Sequence, residues 1–303
     1  MNQPVGYAVE NSGANKGVFY NRQKIADADV ATFTSLNAFY AKDKTNIYAG
    51  HAKLVGVDTT TFEAFNTNFA KDATAVYIWS AKLVGADAAT FVALNKNYAK
   101  DKNMVYHLSK KLEGVDVATF SVLNDLYAKD KNGIYYAGGK IDGADTKTFK
   151  VLNDLYAKDK NVAYNNGKKL TGVDIATFEA LDKTYTKDKN ALYCNGKKLE
   201  GVDAATFKIL NEIYATDKST VYMRCHKINS IKPQSFTVLD DYFAKDATAI
   251  YAQGMRIMEA DTATFAVLTA GYAKDKNAVY NLNQKVEGAD PTTFVVPTEA
   301  TNN

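Results

Sequence analysis

Several residue types are scarce in this sequence, and each scarcity limits what the protein can be. The 303 residues include two cysteines, four prolines and one tryptophan. Two cysteines are too few for the disulfide framework of a small secreted domain, so the sequence predicts none. No apolar run reaches the roughly 20 residues that cross a membrane as a helix, so the sequence predicts no membrane span.

An excess of one charge is also missing. Lysine and arginine number 37 against 34 aspartates and glutamates, which leaves a net charge of +3. Lysines and aspartates alternate along the chain, so the sequence predicts no basic face and no nucleic-acid partner. The sequence contains no P-loop and no constellation of catalytic side chains. We therefore predict a protein that is not an enzyme and binds no cofactor.

No export signal is visible at the start of the chain. Residues 1–5 have no basic segment, and no apolar segment follows them. The sequence thus predicts a cytoplasmic protein if Met1 is the native start, and an exported protein if the numbering describes a processed form.

The abundant feature of the sequence is a repeat of 29 residues. The segment YAKDKNGIY at Tyr127–Tyr135 recurs along almost the whole chain without insertion or deletion. Its first aromatic residue lies at Tyr40, Phe69, Tyr98, Tyr127, Tyr156, Tyr185, Tyr214, Phe243 and Tyr272. A fixed period of this length indicates one stacked array, because a single unit cannot bury its apolar face alone.

The first part of each unit predicts a β-hairpin. In the unit that starts at Tyr156, Asn166-Gly167 separates two short β-prone runs, and Asn-Gly favours a type I′ turn. That turn would place Ala163 opposite Leu170, two positions that are apolar in the other units. We expect this cross-strand pair to face the core.

The second part of each unit predicts a short helix. Asp174 is a suitable N-cap for the segment 175–181, in which Phe178 and Leu181 are spaced i, i+3. The Phe178 position holds phenylalanine in all ten units. A residue that never varies predicts the same packing in every layer.

These units predict an α+β repeat protein, an elongated solenoid of about ten units that each contain a β-hairpin and a short helix. Residues 1–39 form a modified N-terminal unit, residues 40–271 form eight repeats, and residues 272–303 form the last unit and a polar tail. Modified end units fit a stack whose ends face water. A closed ring is the alternative, although propeller blades need about 40 residues or more.

Two columns of repeated residues allow a functional interpretation beside a structural one. Tyrosines at the Tyr40 and Tyr48 positions predict packing between layers, and a ladder of exposed rings for a glycan is the alternative. The aspartates of the Lys-Asp pairs, from Asp43 to Asp275, predict hydrogen-bonded turns, and calcium binding is the alternative. One aspartate per turn supplies few of the oxygen ligands that calcium requires.

Function in repeat proteins tends to lie where the units differ. Trp79 is the only tryptophan, and it predicts an interface anchor or a ring that lies against the neighbouring hairpin. The largest departure is Met223–Lys227, which lacks the Asn-Gly turn, followed by Ser230–Pro233, which lacks the aspartate cap. The residues that we predict to form a binding surface are Ile78, Trp79, His107, Met223, Arg224, His226, Lys227 and Arg256.

Cys225-His226 raises the question of a metal or nucleophilic site, and the sequence argues against both. Zinc needs about four ligands. Cys194 and His107 lie three units apart, and His51 lies six units from Cys225, so these residues cannot converge in an extended stack. Neighbouring residues on a strand point to opposite faces, which separates a thiol from its base. We predict no metal site.

The recurring Asp-Lys-Asn-x-Val-Tyr, as in Asp101–Tyr106 and Asp275–Tyr280, resembles the bacterial DKNYY family over roughly residues 17–294. The doubled tyrosine of the family name occurs only at Tyr135-Tyr136, and Asp-Ala-Thr replaces the motif at residues 72–74 and 246–248. The resemblance implies a bacterial repeat protein. The family carries no assigned activity, so it implies no catalytic residues.

From these features we predict a non-enzymatic repeat scaffold that binds a protein or a peptide. A structural protein that self-assembles into a filament or surface layer is one alternative, because nearly identical units favour head-to-tail contacts. The modified end units argue against it. Glycan binding through the tyrosine ladders is a further alternative, and it requires that the rings be exposed.

Overall fold

The computed structural model describes residues 6–11, 16–228, 231–269 and 271–297, and the chain divides into two compact units, Met1–Lys183 and Thr184–Asn303. Both units consist of small antiparallel β-sheets, one per repeat, which we number 1 to 10 in chain order. Ser230 and the predicted polar tail after residue 297 lie outside the described residues. Within these ranges no helix is long and apolar enough to cross a membrane.

Sheet 1 has three strands, Tyr7–Glu10, Gly17–Tyr20 and Gln23–Ile25. Each later repeat contains four strands. The first strands are Thr34–Ser35, Glu63–Ala64, Val92–Ala93, Ser121–Val122, Lys150–Val151, Glu179–Ala180, Lys208–Ile209, Thr237–Val238 and Ala266–Val267. The second strands are Tyr40–Lys42, Phe69–Lys71, Tyr98–Lys100, Tyr127–Asp130, Tyr156–Lys158, Tyr185–Lys187, Tyr214–Thr216, Phe243–Lys245 and Tyr272–Lys274.

The third and fourth strands complete each sheet. The third strands are Ile47–Ala49, Val76–Ile78, Val105–His107, Gly133–Tyr136, Ala163–Asn165, Leu192–Cys194, Val221–Met223, Ile250–Ala252 and Val279–Asn281. The fourth strands are Ala52–Leu54, Ala81–Lys82, Lys110–Leu112, Gly139–Ile141, Lys168–Lys169, Lys197–Lys198, His226–Ile228, Met255–Ile257 and Gln284–Lys285. The strands pair in chain order, so the fourth strand is an edge of its sheet.

The predicted hairpin is confirmed. Asn166 and Gly167 have φ angles of 50° and 72°, the two positive values that a type I′ turn requires. The N–H of Leu170 donates to the carbonyl of Ala163 at 2.8 Å, as the predicted register demands. The Ala163 position is buried in every repeat that has it. The apolar cross-strand pair therefore faces the core.

The predicted helix is wrong. The described residues contain no α-helix, and their only helical segment is the single 3-10 turn Pro233–Ser235. The segment 175–181 forms a turn that leads into the strand Glu179–Ala180. The protein is therefore an all-β repeat protein and does not belong to the α+β class.

The strand replaces the helix because the segment is short and finds a partner in its own sheet. Asp174 accepts the N–H and the hydroxyl of Thr177 at 3.1 and 2.8 Å, which closes one turn and caps no helix. Helices shorter than about 12 residues are marginal without strong packing. In sheet 6 the equivalent of the predicted helix end, Lys150–Val151, instead pairs antiparallel with the second strand. An i, i+3 apolar pair in a short run fits either structure.

The phenylalanine column joins neighbouring sheets. The ring of Phe120 lies 5.7 Å from that of Tyr98 in sheet 4 and 6.0 Å from that of Tyr135 in sheet 5. Separations of this size are typical of favourable aromatic pairs. The same Tyr–Phe–Tyr contact recurs in both units. The apolar core therefore lies between consecutive sheets, which explains why this phenylalanine never varies.

Candidate interaction surface

The central strands of each sheet run between two different turns. The Asp-Lys-Asn turn joins the second strand to the third, and a two-residue turn joins the third strand to the fourth at the opposite end. We call the first end the aspartate edge (residues 159–161 in sheet 6). We call the second end the tip edge, which comprises the two-residue turn and the residues just before the second strand (166–167 and 154–155 in sheet 6).

The aspartate edge is saturated by internal hydrogen bonds. One carboxylate oxygen of Asp159 accepts the backbone N–H groups of Asn161 and Val162, both at 2.8 Å. The other oxygen accepts the hydroxyl of Tyr164 at 2.7 Å and the N–H of Asp145 at 2.9 Å. The predicted turn role of these aspartates is therefore confirmed. The bonds occupy the oxygens that a calcium ion would need.

Burial and hydrogen bonding shift the pKa of several turn aspartates and of several tyrosines that bond to such aspartates. Burial alone would raise the pKa of Asp72 and Asp217, but bonds from a tyrosine hydroxyl and from backbone amides outweigh it and hold each pKa at about 2. Burial, followed by the bond to the carboxylate, raises the pKa of Tyr135 and Tyr251 to about 12. Asp72 and Asp217 are thus ionised at neutral pH, and Tyr135 and Tyr251 are neutral.

The tyrosine columns face the interior. Tyr40, Tyr48 and Tyr98 are at most 1% exposed. The hydroxyl of Tyr98 donates to the carbonyl of Leu126 at 2.7 Å and accepts the N–H of Gly138 at 3.0 Å, so it ties sheet 4 to sheet 5. Packing between layers is confirmed. The glycan-ladder interpretation is wrong, because it requires exposed rings.

The tip edge keeps one backbone geometry while its sequence changes. The first tip residue has a φ angle between 45° and 61° in all ten sheets. Only four of these residues are asparagine or glycine, which tolerate this left-handed conformation. For other residues it costs about 1–2 kcal/mol. The six residues that accept this cost are Trp79, Leu108, Ala137, Arg224, Gln253 and Leu282.

Two residues of the predicted binding surface lie at the tips. Trp79 is 43% exposed, and its Nε1 donates to Oδ1 of Asn68 in the same sheet at 3.1 Å. Arg224 is exposed on the tip of sheet 8. Leu108 and Leu282 have the same backbone geometry and pack, partly buried, against the core. Trp79 and Arg224 have no such packing.

The other predicted residues are divided between the core and the fourth strands. Ile78 is 3% exposed and belongs to the core, so it cannot contact a partner. Met223 packs partly buried against the core, and His107 lies 4.8 Å from the ring of Tyr98. Burial, with a smaller contribution from Lys110, lowers the pKa of His107. The remaining three are exposed on fourth strands: His226, Lys227 and Arg256.

Arg224 borders a cleft of about 540 Å³ between the tip edges of sheets 8 and 9. Ile213 and Tyr242 supply apolar surface, and two carboxylates also line the cleft. The complete lining is Asn211, Glu212, Ile213, Arg224, Asp241, Tyr242 and Gln253. Sequence reasoning missed Tyr242 because it stands outside the tyrosine columns. The available signal was that residues just before the repeated aromatic vary as much as the tips do.

Cys194 and Cys225 form a disulfide that the sequence did not predict. Cys194 ends the third strand of sheet 7 and Cys225 is the second tip residue of sheet 8, with their Cα atoms 6.0 Å apart, a usual disulfide distance. The repeat sets this proximity. In sheet 5, Gly138 occupies the Cys225 position, and a Cβ atom there would lie 2.7 Å from Cβ of His107. Residues i and i+31 therefore meet between neighbouring sheets.

No metal site is found in the described part of the chain. It contains no group of three or more His, Cys, Asp or Glu side chains placed to hold an ion. Both cysteines are used by the disulfide.

Comparison with known proteins identifies one family. Residues 12–139, 137–197 and 185–301 match the DKNYY family in three overlapping segments. No curated protein and no solved structure matches the chain. The matches span nearly the whole chain, in agreement with the 29-residue period.

Proposed function

The chain belongs to the DKNYY family, and we propose that it is a non-enzymatic repeat scaffold that binds a protein or peptide through its tip edge. The contrast between the two edges supports this proposal. The aspartate edge repeats because its hydrogen bonds build the fold. The tip edge varies in sequence on a constant backbone, at an energetic cost that its exposed residues do not recover through packing.

The chemistry of the tip edge suits a protein partner. Tryptophan, tyrosine and arginine are the residues that most often dominate binding energy at interfaces. Trp79, Tyr242 and Arg224 are all exposed there. The cleft beside Arg224 combines apolar walls with charges of both signs, as expected for a site that takes a peptide side chain.

The double variant Trp79→Asn, Arg224→Asn tests the proposal. Asparagine tolerates the left-handed backbone, so we expect the variant to be at least as stable as the native protein. We expect it to lose the proteins that the immobilised native chain captures from extract and culture medium of the source organism, as measured by quantitative mass spectrometry.

The matched control is Lys102→Gln, Lys131→Gln at the aspartate edge, which also replaces two exposed side chains with polar, uncharged ones. It should capture the same proteins as the native chain. Capture that persists in the tip variant, or that is lost equally in the control, would refute binding through the tip edge.

A further inference from the structure

The second residue of the fourth strand carries a positive charge in sheets 2 to 10. Sheet 1 has the equivalent residue on its third strand. Six of these residues lie in the first unit and four in the second, and all ten are exposed. The column, which we call the cationic edge, consists of Lys24, Lys53, Lys82, Lys111, Lys140, Lys169, Lys198, Lys227, Arg256 and Lys285.

The prediction of no basic face is wrong, because the fold separates charges that alternate in the sequence. The aspartates of the Asp-Lys-Asn turns are buried, and the lysines of several of the same turns pair with loop aspartates. Lys102, Lys131 and Lys160 lie 2.6–3.0 Å from such carboxylates. Of the cationic edge, only Lys198 contacts a carboxylate within the described ranges, at 3.5 Å from Glu200.

Protection of an edge strand from unwanted pairing is the structural explanation to be weighed. Charged residues, lysine above all, do blunt sheet edges. The opposite edge of the same sheets shows that a single sign is not needed for this purpose. Its exposed column is mixed, with Thr34, Glu63, Val92, Ser121, Lys150, Glu179, Lys208, Thr237 and Ala266. Like charges on neighbouring sheets, about 10 Å apart, repel each other. A column of one sign therefore lowers the stability of the fold.

Two side chains of the cationic edge, Lys111 and Lys140, border a shallow groove. Between sheets 4 and 5 the groove has a volume of about 370 Å³, with Lys111 and Lys140 beside Leu112 and Tyr135. Glu113 also lines it, and Lys110 offsets that charge. In the second unit, Nζ of Lys227 donates to the carbonyl of Gly201 in the preceding loop at 3.3 Å. The ammonium group thus extends toward the preceding repeat.

We propose that the cationic edge binds a flexible, unbranched chain of phosphate groups. Within each unit, a file of cations, one per sheet, fits a single flexible polyanion and not a wide rigid duplex. Lysine binds phosphate as a compact point charge and does not need the fixed bidentate geometry through which arginine pairs with phosphate or carboxylate. This suits a flexible chain, and nine of the ten residues are lysine. The fourth strands carry no Phe, Tyr or Trp side chain, and His226 is their one aromatic ring, so they lack the repeated stacking surface that single-stranded nucleic acid uses.

Long-chain inorganic polyphosphate is the probe, with the full chain titrated at several salt concentrations. The test variant is Lys111→Gln, Lys140→Gln, Lys169→Gln. The control is Lys102→Gln, Lys131→Gln, Lys160→Gln, which removes the same charge from the same three repeats. We expect the test variant to lose at least tenfold in affinity at low salt. Its salt slope should fall by about 2, since three phosphate contacts are lost and each neutralised phosphate contributes about 0.7 on a single strand.

The control variant should bind within about threefold of the native chain, and both variants should keep the native melting temperature. Equal losses in the two variants would show a net-charge effect and overturn the proposal, as would the absence of polyphosphate binding at low salt. Poly-L-glutamate or single-stranded DNA binding as tightly as polyphosphate would overturn the assignment to phosphate. Tip variants should bind polyphosphate normally, so this test is independent of the proposed protein partner.

Discussion

The side chain of Asp159 shows why the turn residue of this repeat does not vary. Each carboxylate oxygen meets two donors, three of them backbone N–H groups. A carboxylate is the only side chain of this length that can accept at both oxygens. The residue thus holds its own turn, the phenol of Tyr164 and the preceding loop in one network.

We expect Asp159→Asn to lower the free energy of unfolding by roughly 2–3 kcal/mol. The amide turns an N–H₂ group toward donors that the carboxylate had satisfied, and hydrogen bonds to a charged group contribute about 1.5–3 kcal/mol. Urea unfolding followed by circular dichroism measures the change. Asp154→Asn, an exposed substitution in the same repeat, should stay within about 0.5 kcal/mol of the native chain. Similar losses in both would contradict this role.

The sequence was informative about such residues because their roles are local. Asp159 was predicted as a turn former, since an aspartate before Lys-Asn has few other structural roles. Its bond to Tyr164 was not predicted, although the constant spacing of five residues carried that signal. The Arg224 cleft could not be predicted from one repeat, because its lining comes from two neighbouring sheets.

At the scale of the element, the hairpin and the predicted helix had different outcomes for a physical reason. Asn-Gly determines a turn by its own backbone preferences. The Phe-x-x-Leu segment is ambiguous, and the partner strand that resolves it lies in the same sheet several residues later. The cationic edge depends on which strand lies at the edge of the sheet, and no residue pattern in the sequence predicts that strand order. The hairpin and its register were predictable from short-range chemistry, and the pairing of the first strand with the second was not.

The replacement of helix by strand can be tested with Phe120 and Leu123. A helix would bury both on one face, whereas the structure leaves Phe120 4% and Leu123 36% exposed. We expect Phe120→Ala to lower the free energy of unfolding by roughly 3–5 kcal/mol, because it empties the space between sheets 4 and 5. Leu123→Ala should cost about 1 kcal/mol or less. Comparable losses, measured by chemical denaturation, would argue for the helix.

The disulfide between neighbouring sheets leads to another expectation at this scale. Cys194 and Cys225 are 31 residues apart, and closing a loop of that length stabilises a chain by roughly 3–4 kcal/mol in the entropic description. Reduction with a dithiol should therefore lower the melting temperature, and alkylation should then label two thiols. The variant Cys194→Asn, Cys225→Gly, built from residues that other repeats have at these positions, should melt alike with and without reductant.

A native chain whose melting did not respond to reductant, although both thiols had become available for alkylation, would contradict this contribution. A chain that is already labelled at two thiols before reduction would contradict the disulfide itself. Mass spectrometry distinguishes these results, since the chain has no other cysteine.

At the scale of the whole molecule, similar pKa shifts recur in many sheets, and their contributions to the free energy of unfolding add up. The pKa of Asp72 and of Asp217 is about 2, below the ordinary value near 3.9, so unfolding takes up protons when the pH is between these values. Stability from these groups is fully present above about pH 4 and is lost as the pH falls toward 2. Their counterparts Asp101, Asp159, Asp246 and Asp275 are shifted in the same direction.

The tyrosine partners act at the other end of the pH scale. Tyr135 and Tyr251 have a pKa of about 12, above the ordinary value near 10, so unfolding releases protons between these values. Stability from these groups is fully present below about pH 10 and is lost as the pH rises toward 12. We therefore expect the urea midpoint to be nearly constant from about pH 5 to 9 and to fall steeply on both sides.

The steepness on each side reports how many pairs titrate together, which separates a repeated device from a single sensitive site. Removing the hydroxyl in Tyr135→Phe, Tyr251→Phe should lower the midpoint at neutral pH, because two carboxylates lose a donor. The same variant should lose stability less steeply above pH 10, because two titrating groups are gone. Tyr242→Phe, at an exposed tyrosine outside the columns, should leave the whole profile unchanged. If the alkaline limb of the profile were equally steep in the native chain and in the double variant, the buried Asp–Tyr pairs would not be its cause.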